Sequence, residues 1–424
     1  MGQRVAHDLS RTIHQFFPDL SDRLETVTDP RVRHDYTMTE ILLGGVSMFL
    51  CKEGSRNAMN NDRGEAQFRT GFESLFGERL PHMDTVDDVL RKINNNELEE
   101  LKATLVAKLI EKKVFNKFRL DNGAYRVAVD ATGVMAVNEG HCDHCLTKTS
   151  KNGVVSYFHN VLEAKLITPN GFALSLATEW IENKGDYDKQ DCELKAFGRL
   201  AWKLKKFFPR LPICLHADGL YTNKTFFDIC AQHHWGFITT FKDGNLKSVW
   251  EEIEMELLTS DQELRVEQKD VVYTYRWLNH IDYRGHQLAW VECIETRKDI
   301  VQRFVFVTSM PLKKSNIAQI AASGRLRFKI ENEGFNTQKN LGYRLQHKYS
   351  RVSYNGMKNY VCLMQIAHML NQLYELSSLA KPLLTKKITI KYLWKRMLSA
   401  LLEGAVSSIE DYRATSCRFQ IRYE

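Results

Sequence analysis

Hydrophobic positions in residues 1–118 recur at helical spacing, most clearly over 37–49 and 85–114, with Asp84 and Thr85 as candidate caps. Between these stretches, residues 56–69 (RNAMNNDRGEAQFR) are polar and fit either a loop or a DNA-facing edge. The period changes after Gly123. Residues 124–129 (AYRVAV) read as a strand that stops at Asp130, and 157–168 with 172–178 read as a hairpin around Pro169-Asn170-Gly171. Residues 191–208 form an amphipathic helix ended by Pro209. The run 211–217 (LPICLHA) is a short buried strand that stops at Asp218, 223–233 is a helix, and 236–241 is a further strand. Strand, helix, strand without long linkers predicts an α/β domain with a mixed sheet. From 246 to 312 the pattern is β-rich, with strands over 271–277, 287–295 and 303–308. A long apolar helix follows at 354–374, then a short basic stretch at 381–396 interleaved with Leu, Ile, Tyr and Trp.

One segment breaks its own pattern. On a wheel of about 100° per residue, residues 327–342 place Phe328, Ile330, Phe335 and Leu341 on one side. Lys329, Asn332, Glu333, Asn336, Thr337 and Asn340 fall on the other. Arg327, Glu331, Gln338 and, nearer the edge, Lys339 lie among the apolar positions. A carboxylate directed at a core is costly unless it is paired or holds a metal. Glu331 therefore needs an explanation that Glu333, outward on this wheel, does not. A buried Arg327–Glu331 pair at i,i+4 is the plain account.

Composition narrows the class. The chain has 424 residues, room for two or three domains and an ample core. Its net charge is +7. From Gly334 onward, 14 Lys and Arg stand against 5 Asp and Glu, so that end is about +9 and the rest slightly acidic. A basic end on a neutral body fits a polyanion partner, and a solvated surface has the same composition. Nine scattered cysteines without a paired framework fit a reducing compartment. No apolar leader opens the chain, Ala6 excludes a myristoylation pattern, and no apolar run is long enough to span a bilayer. An intracellular protein with no membrane association is expected.

Two aspartates each follow an apolar strand, Asp130 in VAVDATG and Asp218 in CLHADGLYTN. In α/β sheets the carboxyl ends of strands open onto the ligand crevice. One such aspartate usually caps a turn. Two, with an inward Glu331, make three carboxylates that repel one another unless a cation is present. Oxygen-only donors favour Mg²⁺ or Mn²⁺ and suit two-metal displacement at phosphate, which points to a metal-dependent nucleic-acid enzyme.

Asp130, Asp218 and Glu331 resemble the DDE triad of bacterial insertion-sequence transposases, specifically the group with a β-strand insertion between the second Asp and the Glu. The signature of that group around the Glu is Tyr, two residues, Arg, three residues, Glu, six residues, Lys. Arg327 and Glu331 match it; Gly324 occupies the Tyr position, and Gln338 the Lys position with Lys339 one step on. The likeness runs from about 125 to 374. It implies an α/β, ribonuclease-H-like mixed sheet flanked by helices, with a β-rich insertion, a helical N-terminal domain and a basic helical tail. The corresponding divisions are 1–118, 119–245, 246–312, 313–375 and 376–424. It also implies two Mg²⁺ (or Mn²⁺) ions on Asp130, Asp218 and Glu331, with DNA cleaved at element ends and the freed 3′-OH joined to target DNA. Arg327 and Lys339 would neutralise phosphate, and His347 is a further DNA-contact candidate. The partners implied are double-stranded DNA, as terminal repeats and target, and a second copy of the chain in a synaptic homodimer. The setting implied is the bacterial cytoplasm, at the nucleoid. Some members hold a flipped base on an insertion-domain tryptophan, for which Trp277 and Trp290 are the candidates, although tryptophans in sheets usually serve the core.

Other signals are weaker. His141-Cys142-Asp143-His144-Cys145 has the C-x₂-C spacing of half a zinc site, but no second half follows at finger-like distance. The alternative is a polar loop near the first Asp. His216, two before Asp218, reads as a core histidine or a support for that aspartate. The basic run 203–206 reads as a solvated helix face. Three readings compete with an active transposase: a non-catalytic DNA-binding protein derived from one, a simple nuclease of the same fold, and a structural α/β protein whose Arg327–Glu331 pair is only a salt bridge.

Overall fold

The computed structural model describes residues 1–137, 139, 142–183, 189–406 and 419–422. Seven helices come first: α1 (Gly2–Phe16), α2 (Leu20–Glu25), α3 (Met38–Leu50), α4 (Arg56–Gly64), α5 (Ala66–Phe76), α6 (Met83–Leu90) and α7 (Asn95–Glu111). Thr37 and Glu40 form a capping box on α3, each satisfying the other's backbone N–H. The stretch expected as one helix over 85–114 is instead broken at 91–94. Its caps are not Asp84 and Thr85 but His82, which accepts from Asp84 N, and Asn94, which accepts from Asn96 N. The polar stretch 56–69 is helical rather than a loop.

The sheet begins with β1 (Tyr125–Val137), β2 (Leu146–Thr149), β3 (Val155–Ile167) and β4 (Ala173–Ile181). Then α8 (Glu193–Phe207), β5 (Ile213–Ala217), α9 (Lys224–His233) and β6 (Gly236–Thr240) supply the crossovers and the two strands parallel to β1. A helix not foreseen in the β-rich stretch, α10 (Lys247–Leu257), precedes β7 (Glu263–Gln268), β8 (Val271–Tyr283), β9 (His286–Arg297) and β10 (Ile300–Thr308). The last four strands continue the same sheet, because β10 pairs antiparallel with β6. The sheet runs β2-β3-β1-β5-β6-β10-β9-β8-β7, with β4 also on β3. It is a large mixed sheet flanked by helices.

Strand β1 does not stop at Asp130. Its parallel pairing with β5 ends at Ala128↔His216, while its antiparallel pairing with β3 continues past Asp130 and kinks between Gly133 and Met135. The sequence marks a change of partner there, not a strand end.

After β10 come α11 (Ile317–Arg325), a π-helical turn over Ile330–Asn336, α12 (Thr337–Asn340), α13 (Tyr354–Glu375) and α14 (Ile390–Leu402). Helix α13 is buried along almost its whole length and packs against α1, α3, α7 and β4. One core thereby joins the N-terminal helices to the sheet. Helix α14 docks on α1 so closely that a Cβ on Gly2 would strike the backbone of Arg396. A second core lies between α11 and β8–β10. A third, small one seats Ile330 and Phe335 of the π turn on Ala128, Ile167 and Ala173. No described helix is long and apolar enough to cross a membrane.

Candidate functional site: carboxylates at a strand crevice

The parallel register fixes the first two carboxylates. Ala128↔His216 is the last pair of the parallel β1–β5 ladder, so Asp130 and Asp218 stand at corresponding positions two residues beyond it, Asp130 still within β1 and Asp218 just after β5. Asp218 Oδ1 also accepts from Leu220 N at 2.9 Å, which holds its side chain at the start of the following turn. Asp130 Oδ1 accepts from Ala131 N at 2.9 Å.

Glu331 arrives on the π turn. Its Oε1 lies 2.6 Å from Nη2 of Arg327, and Nη1 of the same guanidinium is 3.3 Å from Oδ2 of Asp130. Arg327 therefore ties the third carboxylate to the first. The wheel misplaced this glutamate: the Glu331 side chain is 44% exposed, more than that of Glu333 at 30%. Phe328 and Leu341, expected in the core, are half exposed, whereas Ile330, Phe335 and Gln338 are buried. The cause is the π turn, whose i→i+5 bonding shifts the face away from the α-helical period. Gln338 meets His368 at 3.2 Å.

A fourth carboxylate, Glu193 in the first turn of α8, escaped the sequence reading. It accepts from the Tyr221 hydroxyl at 2.7 Å, and its pKa is raised by burial, with Asp218 adding to the shift against the Tyr221 bond. Its only sequence signal was an acid at a helix start, which the helix dipole explains equally well. Burial also pushes Asp130 up to about 6; Arg327 opposes this, and Glu331 and Glu193 reinforce it. Lys339 faces the same cluster: burial lowers its pKa, and Asp130 counters that. His216 is fully buried, its Nε2 3.4 Å from Ser323 Oγ, and burial and Arg126 hold it down to about 3. It is a neutral core histidine beneath the aspartates.

Asp130, Asp218, Glu193 and Glu331 thus outnumber the cations Arg327 and Lys339 around them. Hard oxygen donors with excess negative charge fit Mg²⁺ or Mn²⁺. The carboxylates are not drawn as close together as ligands of a single ion. Among the described residues the one such set, with ligand atoms within 4.8 Å of one another, is Cys142, Cys145 and His159.

His347 stands apart from these contacts. Much of its surface is open to solvent, but its ring packs edge-on against Tyr349 at 4.7 Å, and this partial desolvation, with Arg344 and Arg56, lowers its pKa. Trp277 and Trp290 are buried within the sheet's cores and offer no face to a base. Gly324, at the Tyr position of the signature, has no room for any side chain: a Cβ would lie 2.7 Å from the Phe306 ring. His141 lies outside the described residues.

No protein-family model and no curated protein sequence matches the chain. Among solved structures it is similar to a piggyBac transposase in a synaptic complex with hairpin DNA. The TM-score is 0.41 and the identity 11%, over 97% of this chain and 82% of that one.

Proposed function

We propose that this protein is a DDE-type transposase with a ribonuclease-H-like catalytic core, cutting DNA at the ends of an insertion sequence and joining the freed ends to target DNA. The observation that carries the reading is the strand register that sets Asp130 and Asp218 at corresponding positions, with Arg327 linking Asp130 to Glu331. The antiparallel strands β1, β3 and β4 beside the parallel β5 and β6 support the ribonuclease-H-like assignment.

Asp130, Asp218 and Glu331 would hold the divalent ions, with Glu193 as a further donor. Divalent ions bound there would supply water activation and neutralise charge on the leaving 3′ oxygen. The chain's own residues do the rest. Arg327 and Lys339 neutralise phosphate at the crevice, and Tyr221 holds Glu193 in place. His347, with Arg344 acting on it, is a separate candidate contact for DNA backbone, while the nearby Arg56 is paired with Asp87 and Asp84. Pairing of two copies at the two element ends completes the proposal.

The test uses purified protein, Mg²⁺ and linear DNA carrying the sequences that flank the gene. Wild type, Glu331→Ala and Glu193→Gln are scored for cleavage and for joining to a plasmid. Cleavage and joining by wild type, abolished in Glu331→Ala, are expected. Cleavage without joining would mean a nuclease, and binding without cleavage a non-catalytic descendant. Loss in Glu193→Gln with full activity in Glu331→Ala would make Glu193 the third carboxylate.

A further inference from the structure

We propose a second metal centre, chemically unlike the first: a zinc ion held by Cys142, Cys145 and His159. The C-x₂-C pair lies on a turn closed by the Cys145 N–H to Cys142 carbonyl bond at 3.1 Å, immediately before β2. The missing partner lies on β3. Strand β2 pairs with β3 at Leu146↔Phe158, and that register carries the buried imidazole of the next residue, His159, under the turn.

The distances match a coordination shell. The two sulfurs are 3.8 Å apart, and Nε2 of His159 is 3.4 Å from Cys142 Sγ and 3.3 Å from Cys145 Sγ. A tetrahedral zinc with Zn–S of ~2.3 Å and Zn–N of ~2.0 Å has ligand–ligand edges of ~3.8 Å for S–S and ~3.5 Å for S–N. A disulfide would require sulfurs at ~2.05 Å.

Hydrogen bonding could occupy both thiols, one on Nε2 and the other on its neighbour's sulfur, but it does not require both sulfurs to stand at nearly equal distance from Nε2. An imidazole nitrogen has one lone pair and accepts one proton, yet two thiols converge on it at nearly equal distance. A metal serves both. Sulfur and imidazole donors select zinc over Mg²⁺, so the two centres would not compete for ions.

The position gives the ion a structural task. His159 and His144 each stack on Tyr354, at ring separations of 4.8 and 4.5 Å, and the Tyr354 hydroxyl bonds to Glu182. Tyr354 opens α13, the helix on which the core is built. Zinc at this point pins the 142–145 turn and the outer end of β3 to that helix. The three protein ligands leave one corner for solvent or a further donor.

Protein purified under reducing conditions without chelator should contain one zinc per chain by mass spectrometry of the metal. Cys142→Ser and His159→Ala should lower that content at least tenfold. If His159→Ala fails to fold, Co²⁺ titration of the zinc-stripped wild type gives an independent reading: a thiolate-to-cobalt charge-transfer band saturating at one equivalent, reversed by zinc. Metal-free protein that shows no such band overturns the proposal. So does a Cys142–Cys145 disulfide that, once reduced, takes up no metal, or a band that persists in Cys142→Ser/Cys145→Ser.

Discussion

Asp130→Asn should make the metal-free protein more stable, although it removes a residue proposed to be catalytic. In the fold, Asp130 has its pKa pushed up to about 6 by burial and by neighbouring carboxylates, against an ordinary 3.8. At ~1.4 kcal/mol per pH unit, the ionised form costs the fold about 3 kcal/mol at pH 7.5. Asparagine keeps the shape and can still accept from Ala131 N. It gives up the 3.3 Å contact with Arg327, whose other arm stays on Glu331. The raised pKa already includes the attraction of Arg327, so nothing further is subtracted and the gain is at most about 3 kcal/mol.

The pH dependence provides the control. Because the folded pKa is raised, the native state binds the extra proton between 3.8 and about 6, so the penalty is absent below that window and complete above it. The gain from asparagine should therefore be full at pH 7.5 and mostly lost by pH 4. Urea midpoints in Mg²⁺-free buffer measure it; chelators are left out because they would strip the Cys142–Cys145–His159 centre. Saturating Mg²⁺ should then stabilise wild type and leave Asp130→Asn unchanged. An asparagine variant less stable than wild type at pH 7.5, or a gain undiminished at pH 4, would refute the argument that burial and crowded carboxylates strain this site.

Three further outcomes follow from buried groups elsewhere. Lys102 is buried with Glu99 at 2.8 Å, Gln365 at 2.6 Å and Thr178 at 2.9 Å. Lys102→Met strands Glu99 and should cost ~3–5 kcal/mol in urea unfolding, most of it recovered in Lys102→Met/Glu99→Gln. Gly324→Tyr, which completes the transposase signature on paper, should destabilise by ~2 kcal/mol or more because the new side chain enters the Phe306 ring. His216, depressed to about 3 from 6.5, contributes stability that is complete above pH 6.5 and lost as pH falls towards 3. Its share of the slope is at most ~1.4 kcal/mol per pH unit, and His216→Gln should flatten the midpoint-versus-pH curve between 6.5 and 5.

What could be read from the sequence was local. The apolar runs of β3, β5, β6, β9 and β10 lie close to where their patterns end, and Asp218 follows its strand as expected. His216, two positions before Asp218, read as a core histidine or a support for that aspartate, and the structure buries it completely. Failures came where a second partner changed the rule. Strand β1 looked complete at Asp130 because its parallel neighbour ends there, yet β3 carries it on to Val137. The Glu331 segment obeyed an α-helical wheel on paper, but a π turn rotated Glu331 outward and buried Glu333 more deeply. The buried pair Glu163–Lys165 was invisible because a strand with two charges at i,i+2 usually turns that face to water; here the face lies under the π turn, Lys165 against Gly334 and Phe335.

The two proposed centres differ in legibility for the same reason. Asp130 and Asp218 follow apolar runs that pair in parallel, so their corresponding positions can be inferred before the fold is known. Glu193 and His159 are brought in by contacts that no residue pattern announces: Glu193 by the hydroxyl of Tyr221, His159 by the β2–β3 register. For His159 the spacing rule failed in an informative way. Zinc fingers keep their second half close because a small domain has no other scaffold. His159 does lie at finger-like distance from Cys145, with 13 residues between, but it stands alone where the rule looks for a pair of histidines, and the neighbouring strand is what turns it toward the sulfurs. A lone C-x₂-C followed by two strands in an α/β chain therefore calls for a search along the second strand for an inward histidine, here 14 residues on.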